Sequence, residues 1–497
     1  MIGDGSWTAR QRAFIAMERK HELFALRVDG WSPWRVVRHF VFRKLENLPL
    51  SQPGRPAAVR SVEALVATFR LIRLLFKGER RDLLVKTCRS GLRVKCGDRF
   101  RDVYFDGLLA GDVSHLKMEE INSPDFDEQA ALAVRPAELD PVVFTFWGRI
   151  LGALLPPRVG ALCRSMADTL HHELGLELAP SVLKMRVSTV FWQARLYRLL
   201  LARIKPQAIL VSDTGEYGLR IAAGREKVPF IELQHGVFDA RHPDAIPAWV
   251  GGAAEDLILP DILASRGRYW IECLADTRQG RDHAVPVGNE FIDEARLRRK
   301  ARNKAATLHL VLTTQGLDTE RLVRWIEAMT EAAPAAVDWR LSIKLHPLYD
   351  QETQKFSGLE KDGRIRVIGG SDLPNVFDLL SEADLHLSIA SACHFDAAAL
   401  GVRSVIIPLA GHDSMLHVVD GKQFLLARTS GDVWNMVASP QMSDIEQAHR
   451  FSEPDFVENM QKLVIRARSG TASPPSSAAD FPMRRDRGRS SAASPFG

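Results

Sequence analysis

From about residue 205 onward, short apolar runs and helix-patterned stretches take turns along the chain, and this alternation most limits the folds open to it. "AILVS" at 208–212 leads into the loop "DTGEYG", then a helical pattern through "LRIAAGREK", then "PFIEL" as the next strand. The rhythm resumes with "TLHLVLTT", a helix from Glu320 to about Ala332, "RLSIKL", "RIRVIG", a helix through "NVFDLLSEA", "LHLSIA", a helix through "FDAAALG", and "SVIIPL". Strands joined through helices pair in parallel, and the helices cover both faces of the sheet. The expected fold class is therefore α/β, with two doubly wound halves in tandem. The 497 residues also exceed the roughly 250 to 300 that one core supports.

The stretch "PVGNEFIDEARLRRKARNKAA" (286–306) is charged, favours helix and has no strand pattern, so the connection between the halves is placed there. The expected division is a first domain over 1–290, a second over 291–440, a closing helix over 441–468 and a tail over 469–497. The tail is dominated by Ser, Pro, Ala, Gly and Arg without apolar periodicity, a composition that predicts disorder.

Composition excludes several classes. With 46% apolar and 26% charged residues the chain reads as an ordinary soluble protein, and a net charge of +5 permits only a diffuse attraction to anionic surfaces. Five scattered cysteines without a CxxC pair predict a reducing compartment, with neither a disulfide framework nor a zinc site. His171 and His172 are consecutive and share no helix face, so no metal is expected. The start lacks a secretory signal and no window suits a membrane span, which predicts a cytoplasmic protein. Residues 60–81, "RSVEALVATFRLIRLLFKGERR", place Val62, Leu65, Phe69, Ile72 and Phe76 at helical spacing amid Arg70, Arg73, Lys77, Arg80 and Arg81. Such a basic amphipathic helix can lie peripherally on an anionic membrane, although a domain helix with a wet basic face is the commoner arrangement and the expected one. It lacks the interleaved aromatics that stack bases, and no nucleic-acid partner is expected.

Three stretches carry candidate chemistry, each at the carboxyl end of an expected strand, where doubly wound sheets bind ligands. In "IELQHGVFDARH" the strand ends on His235, a group able to take a proton from a hydroxyl near neutral pH, and Gly236 lets a phosphate or sugar approach the main chain. In "RLSIKLHPLYD" Lys344 and His346 share one side of a strand that Pro347 stops, a good anion site. In "SIASACHFDAAALGVRSVIIP" Ser391 is placed to cap a helix beginning near Cys393, whose first-turn amides can hold a phosphate. Asp396 lies one turn further on, where a carboxylate can accept both hydroxyls of a ribose or simply favour the helix dipole, and Gly401 closes the helix. Each stretch also has a bland reading: a structural histidine, a solvated strand lysine, a helix cap.

"ELQHG", "KLHP" and the serine-led "SACHFDAAALG", in this order, resemble the GT-B glycosyltransferases of bacterial surface polymers, above all the capsular and lipopolysaccharide biosynthesis proteins. More distantly they are similar to the polysialyltransferases and CDP-glycerol glycerophosphotransferases. "DGWSPWRVVRHFVFRKL" (29–45) and "KPQAILVSD" extend the resemblance, which covers most of 29–440. It implies two Rossmann-like domains facing across a cleft, the later one binding a nucleotide-activated sugar donor without a metal or other cofactor. It also implies that His346 and Ser391 contact the donor phosphate, that Asp396 stands where these families carry a ribose-binding glutamate, and that His235 is the acceptor-side acid/base. Ala392 and Asp396 depart from the usual Thr and Glu.

Glu216, in the loop after "AILVS", and Asp106, in "VYFDGLLAGD" and read as ending an early strand, compete for the base role behind His235; each is more often a cap or turn former. The expected activity is transfer of a sugar or related unit from a nucleotide donor to a surface glycan or glycolipid. A nucleotide-sugar epimerase and a non-catalytic binding member are the alternatives.

Overall fold

The computed structural model describes residues 8–47, 56–87, 93–111, 113–120, 127–212, 215–301, 307–347, 349–350, 353–438 and 445–469. The serine- and proline-rich tail beyond Ser469 lies outside the described residues.

Among these residues two six-stranded parallel sheets form the frame. The first contains β1 (Leu83–Lys86), β4 (His115–Met118), β5 (Ala208–Val211), β6 (Phe230–Leu233), β7 (Ile262–Ser265) and β8 (Ala284–Pro286), in the order β4-β1-β5-β6-β7-β8. A separate antiparallel hairpin, β2 (Arg93–Cys96) and β3 (Arg99–Asp102), stands beside it. The second sheet contains β9 (Leu308–Thr313), β10 (Trp339–Lys344), β11 (Ile365–Ile368), β12 (Leu385–Ser388), β13 (Ser404–Ile406) and β14 (Phe424–Leu426). Its order, β11-β10-β9-β12-β13-β14, reverses direction between β9 and β12, which places a crevice at their carboxyl ends. The architecture is α/β with two Rossmann-like sheets facing across a cleft.

Strands such as β1, β5, β7 and β12 are buried along their whole length, as parallel strands covered on both faces must be. Helix boundaries follow local chemistry. Asn375 caps the helix Val376–Glu382 by accepting from the Phe377 and Asp378 amides, and Asp378 accepts from the Asn375 amide in return. Gly401, at φ +68°, ends the helix Cys393–Ala399 in a left-handed turn, as the sequence suggested. The N-terminal helices Ala9–Lys20 and Pro33–Leu45 pack with Gly160–Leu174 and Pro180–Ile204 in a core of their own around Phe14, Trp34, Val37 and Leu183.

The two sheets share one continuous core. Trp270 of the first domain meets Phe395 of the second with ring centroids 4.6 Å apart, and Phe291 stacks on Phe377 at 5.3 Å. The chain crosses between domains twice. After β8 it runs through the helix Glu290–Ala301 into β9; then, beyond the helix Ile445–Phe451, the helix Phe456–Arg468 returns to the first domain's core. The crossings touch: Asn459 donates to the Val287 carbonyl, Asp293 accepts from the Phe456 amide, and a Cβ on Gly288 would lie 2.1 Å from the Glu453 carbonyl oxygen.

Candidate active site in the interdomain cleft

A cavity of about 300 Å³ opens between the domains, at the carboxyl ends of strands from both sheets. His235, Tyr104 and Arg266 line it from the first domain; Thr313, Lys344, His346, Pro347, Ser391 and Asp396 line it from the second. The singled-out residues at three strand ends, far apart in sequence, thus share one space. Gly236 is not among the lining residues, although nothing lies within 4 Å of where its Cβ would be.

The first-domain wall is built around Gln234. Its side-chain carbonyl accepts from Ser265 Oγ at 2.9 Å and from the Arg266 amide at 3.1 Å, while its amide donates to the Gly236 carbonyl at 2.8 Å. This buried side chain ties the end of β6 to the end of β7 and turns the main chain under His235. Tyr104 Oη donates to the His235 carbonyl at 3.1 Å, holding the turn from the other side. The His235 ring itself, half-buried, makes no hydrogen bond to another described residue.

The loop beyond His235 is held by the N-terminal helix Pro33–Leu45. Buried Asp244 accepts from Arg35, from Tyr217 Oη at 2.7 Å and pairs with His39 Nδ1 at 2.6 Å. Arg38 donates to the Pro243 and Ala245 carbonyls and pairs with buried Glu18, which also accepts from Trp34. Burial by itself would raise the Asp244 carboxyl, but Arg35 and His39 hold it well below the ordinary carboxylate range. Burial and the neighbouring imidazoles push His242 down to about 4 despite Asp244, so it is neutral near pH 7. The "GWSPWRVVRHF" segment therefore clamps the loop that follows His235 without lining the cavity.

On the second-domain wall, Lys344 is buried and donates to the Gly369 carbonyl at 2.7 Å and the Asp372 carbonyl at 2.6 Å. Burial, opposed by Asp372 and Asp378, lowers its ammonium to about 8. His346 is lowered to about 4 by burial and is neutral at physiological pH. Its Nδ1 accepts from the Tyr349 amide at 3.3 Å, which leaves the ring proton on Nε2, and its own amide donates to Thr314 Oγ1 at 3.1 Å. Ser391 Oγ accepts from the Cys393 amide at 3.1 Å. The capping position itself falls on Ala392, one residue later than the sequence suggested, so Ser391 serves a first-turn amide from just outside the helix. Burial pushes the Cys393 thiol up to about 11, which makes it a poor nucleophile.

Asp396 pairs with Arg266 across the cleft at 2.8 Å. Burial raises its carboxyl and Arg266 opposes the rise. Further polar contacts among the described residues bridge the domains: Gln129 Nε2 donates to Ser371 Oγ at 3.0 Å, Arg241 meets His417 at 3.1 Å, and Arg450 pairs with Glu272.

The competing carboxylates are placed elsewhere. Asp106 follows β3 in a turn rather than ending a strand of the main sheet; it accepts from the Asp102 amide at 2.9 Å and from buried Lys117 at 2.5 Å. Glu216 sits at the start of the helix Tyr217–Glu226 and is held by Lys86 at the end of β1. Neither lines the cavity. Its companion in the same loop, Asp213, lies outside the described residues. Sequence reasoning missed Arg266, whose place opposite Asp396 only the tertiary contact reveals. It also missed the His39–Asp244 pair, 205 residues apart, for which no local signal exists.

No family model matches the chain, and no curated protein matches it. Similar solved structures include the UDP-GlcNAc 2-epimerase of Methanocaldococcus jannaschii, with 12% identity, 77% of this chain and 99% of that chain covered, and a TM-score of 0.45. MurG of Acinetobacter baumannii is similar at 11% identity, with 77% and 99% covered and a TM-score of 0.44. The wall teichoic acid polymerase TagF is similar at 10% identity, with 82% and 99% covered and a TM-score of 0.40. At such distances these likenesses carry no weight for the chemistry, which rests on the geometry of the cleft.

Proposed function

We propose that the protein is a glycosyltransferase that moves a sugar or related unit from a nucleotide-activated donor to a hydroxyl of a cell-surface polysaccharide or glycolipid. The observation that carries this reading is the shared cavity: a histidine from one domain faces it together with Lys344, His346 and Ser391 from the other. His235 takes the proton of the acceptor hydroxyl as its oxygen attacks the donor carbon; the carbon–phosphate-oxygen bond breaks and the nucleotide leaves with that electron pair. Lys344, the Nε2–H of His346 and the Ser391 hydroxyl meet the departing phosphate, and one well-placed group of this kind is worth about 3 to 4 kcal/mol in a water-excluded site. Asp396 retains a second carboxylate oxygen for a ribose hydroxyl beside its pairing with Arg266.

The test begins with a nucleotide panel scored by thermal stabilisation, since a ligand specific to the folded form raises its melting temperature. With the best nucleotide, His346→Ala is expected to weaken binding by calorimetry, whereas His235→Ala spares binding and abolishes transfer. Unchanged affinity in the first variant and normal turnover in the second would overturn the assignments. An isomerised sugar after incubating donor alone would identify an epimerase, and binding without turnover across a broad acceptor panel a non-catalytic member.

A further inference from the structure

The helix Ala57–Lys77 has two apolar stripes, and the domain uses the smaller one. Ala64, Ala67 and Leu71 are buried against the first domain. Val62, Leu65, Phe69, Ile72 and Phe76, the stripe most visible in the sequence, are 61%, 47%, 74%, 43% and 82% exposed. With 3.6 residues per turn, this second stripe lies on the opposite side of the helix from the first. An ordinary domain helix turns its heavier apolar stripe inward. Here that stripe faces out.

Its flank is cationic. Arg70 and Arg73 are exposed along one edge of the stripe, Lys77 follows them, and Arg80 is exposed just beyond the helix end. The helix contains a single acidic residue, Glu63, which lies on the inward side 3.6 Å from Arg60; Glu79, past the helix end, pairs with Lys77. The outward face is therefore apolar, edged by positive charge and free of carboxylates. An anionic lipid surface supplies both complements at once, an acyl boundary for the phenylalanines and phosphates for the cations. A second copy of the chain supplies only the apolar one. No helix among the described residues is long and apolar enough to cross a membrane.

We propose that this helix docks the protein onto anionic phospholipid, lying in the headgroup plane with Phe69 and Phe76 inserted. The geometry also gives an orientation. Arg60, in the first turn, pairs with Glu120, two residues past β4, so the start of the helix lies at the edge where the strands of the first sheet deliver their loops to the cleft. Docking therefore brings the cleft's rim to the lipid surface, and a lipid-borne acceptor reaches it from there; this last step rests on the transferase reading, whereas the docking does not.

The test uses the full chain in flotation with phosphatidylglycerol-containing vesicles and with pure phosphatidylcholine vesicles. Expected is capture by the anionic vesicles that weakens with salt. The Phe69→Ser/Phe76→Ser and Arg70→Gln/Arg73→Gln/Lys77→Gln variants should each bind about tenfold less or worse. Both should keep the wild-type melting temperature and nucleotide affinity, because none of these residues lines the cleft. The inference is overturned if the wild type stays with the unbound fraction, if the phenylalanine variant floats as well as the wild type, or if light scattering shows a dimer that the phenylalanine substitutions dissociate. Flotation is read without any turnover, so a failed docking and a failed transferase assignment give separate results.

Discussion

Arg266, at the end of β7, donates to Asp396, in the helix after β12, at 2.8 Å, so the floor of the cleft is also a joint between the domains. Both side chains are largely buried, at 13% and 10% exposed. Removing one partner of such a pair strands the other charge, at about 3 to 5 kcal/mol, whereas replacing both with apolar groups of similar volume is close to neutral. Asp396→Asn should therefore lower the melting temperature, and Arg266→Met/Asp396→Leu should regain most of the loss. Thermal unfolding of the three proteins decides it: equal melting of the wild type and Asp396→Asn would show that the pair contributes nothing.

Gly370 backs directly onto the His346–Pro347 corner. A Cβ there would sit 2.3 Å from Pro347 Cα and 2.6 Å from its nitrogen, so Gly370→Ala must displace main chain rather than a flexible side chain. Misplacing binding groups by about 1 Å can cost two orders of magnitude in rate. The substitution should weaken nucleotide binding, while Gly363→Ala, where a Cβ meets nothing within 4 Å, should leave it intact. Calorimetry on the two variants tests whether this corner belongs to the donor site.

Lys344 gives a pH signature. In the proposed donor site its ammonium, lowered to about 8, would hold a phosphate only while protonated, so nucleotide affinity should fall as pH rises through about 8 and should be flat in Lys344→Met. Stability moves the other way. Between about 8 and 10.5 the unfolded chain binds the extra proton, so this group's contribution to stability increases with pH over that window. Affinity titrations paired with melting curves separate the two, and an affinity that stays constant to pH 9 would remove Lys344 from the phosphate site.

Acid should destabilise the fold before most carboxylates protonate. Burial holds His242 and His346 at about 4 and His394 at about 3, against an ordinary 6.5. The stability from keeping these rings neutral is complete above pH 6.5 and is lost as pH falls toward 4, with a slope of about 1.4 kcal/mol per pH unit for each proton taken up on unfolding. Denaturant midpoints measured from pH 7 to pH 4.5 should fall, and His242→Gln should flatten part of the slope.

The strands that could be read in advance are those dominated by apolar residues, such as β5 and β9. Among those missed, which include β7, β8 and β14, β1 and β4 are four residues long and carry Lys86 and Lys117 inside the sheet, neutralised by Glu216 and by Asp102 and Asp106 from elsewhere in the chain. A buried charge erases the apolar pattern that betrays a strand, and its partner becomes visible only after folding. The candidate site was legible where chemistry coincided with a strand end, at His235, Lys344, His346 and Ser391. Arg266 and the His39–Asp244 pair were not, because tertiary contact alone gives them their place. Periodicity located the helix Ala57–Lys77 but could not say which stripe the domain would cover.

The two passages of chain between the domains lie against each other, with Gly288 pressed on the Glu453 carbonyl and Asn459 bonded to Val287. Twin neighbouring straps behave as a door's hinge rather than a ball joint: they let the lobes rock about the line through both but resist twisting. An opening of the cleft about that line would have to part Arg266 from Asp396, whose pairing closes it in this structure.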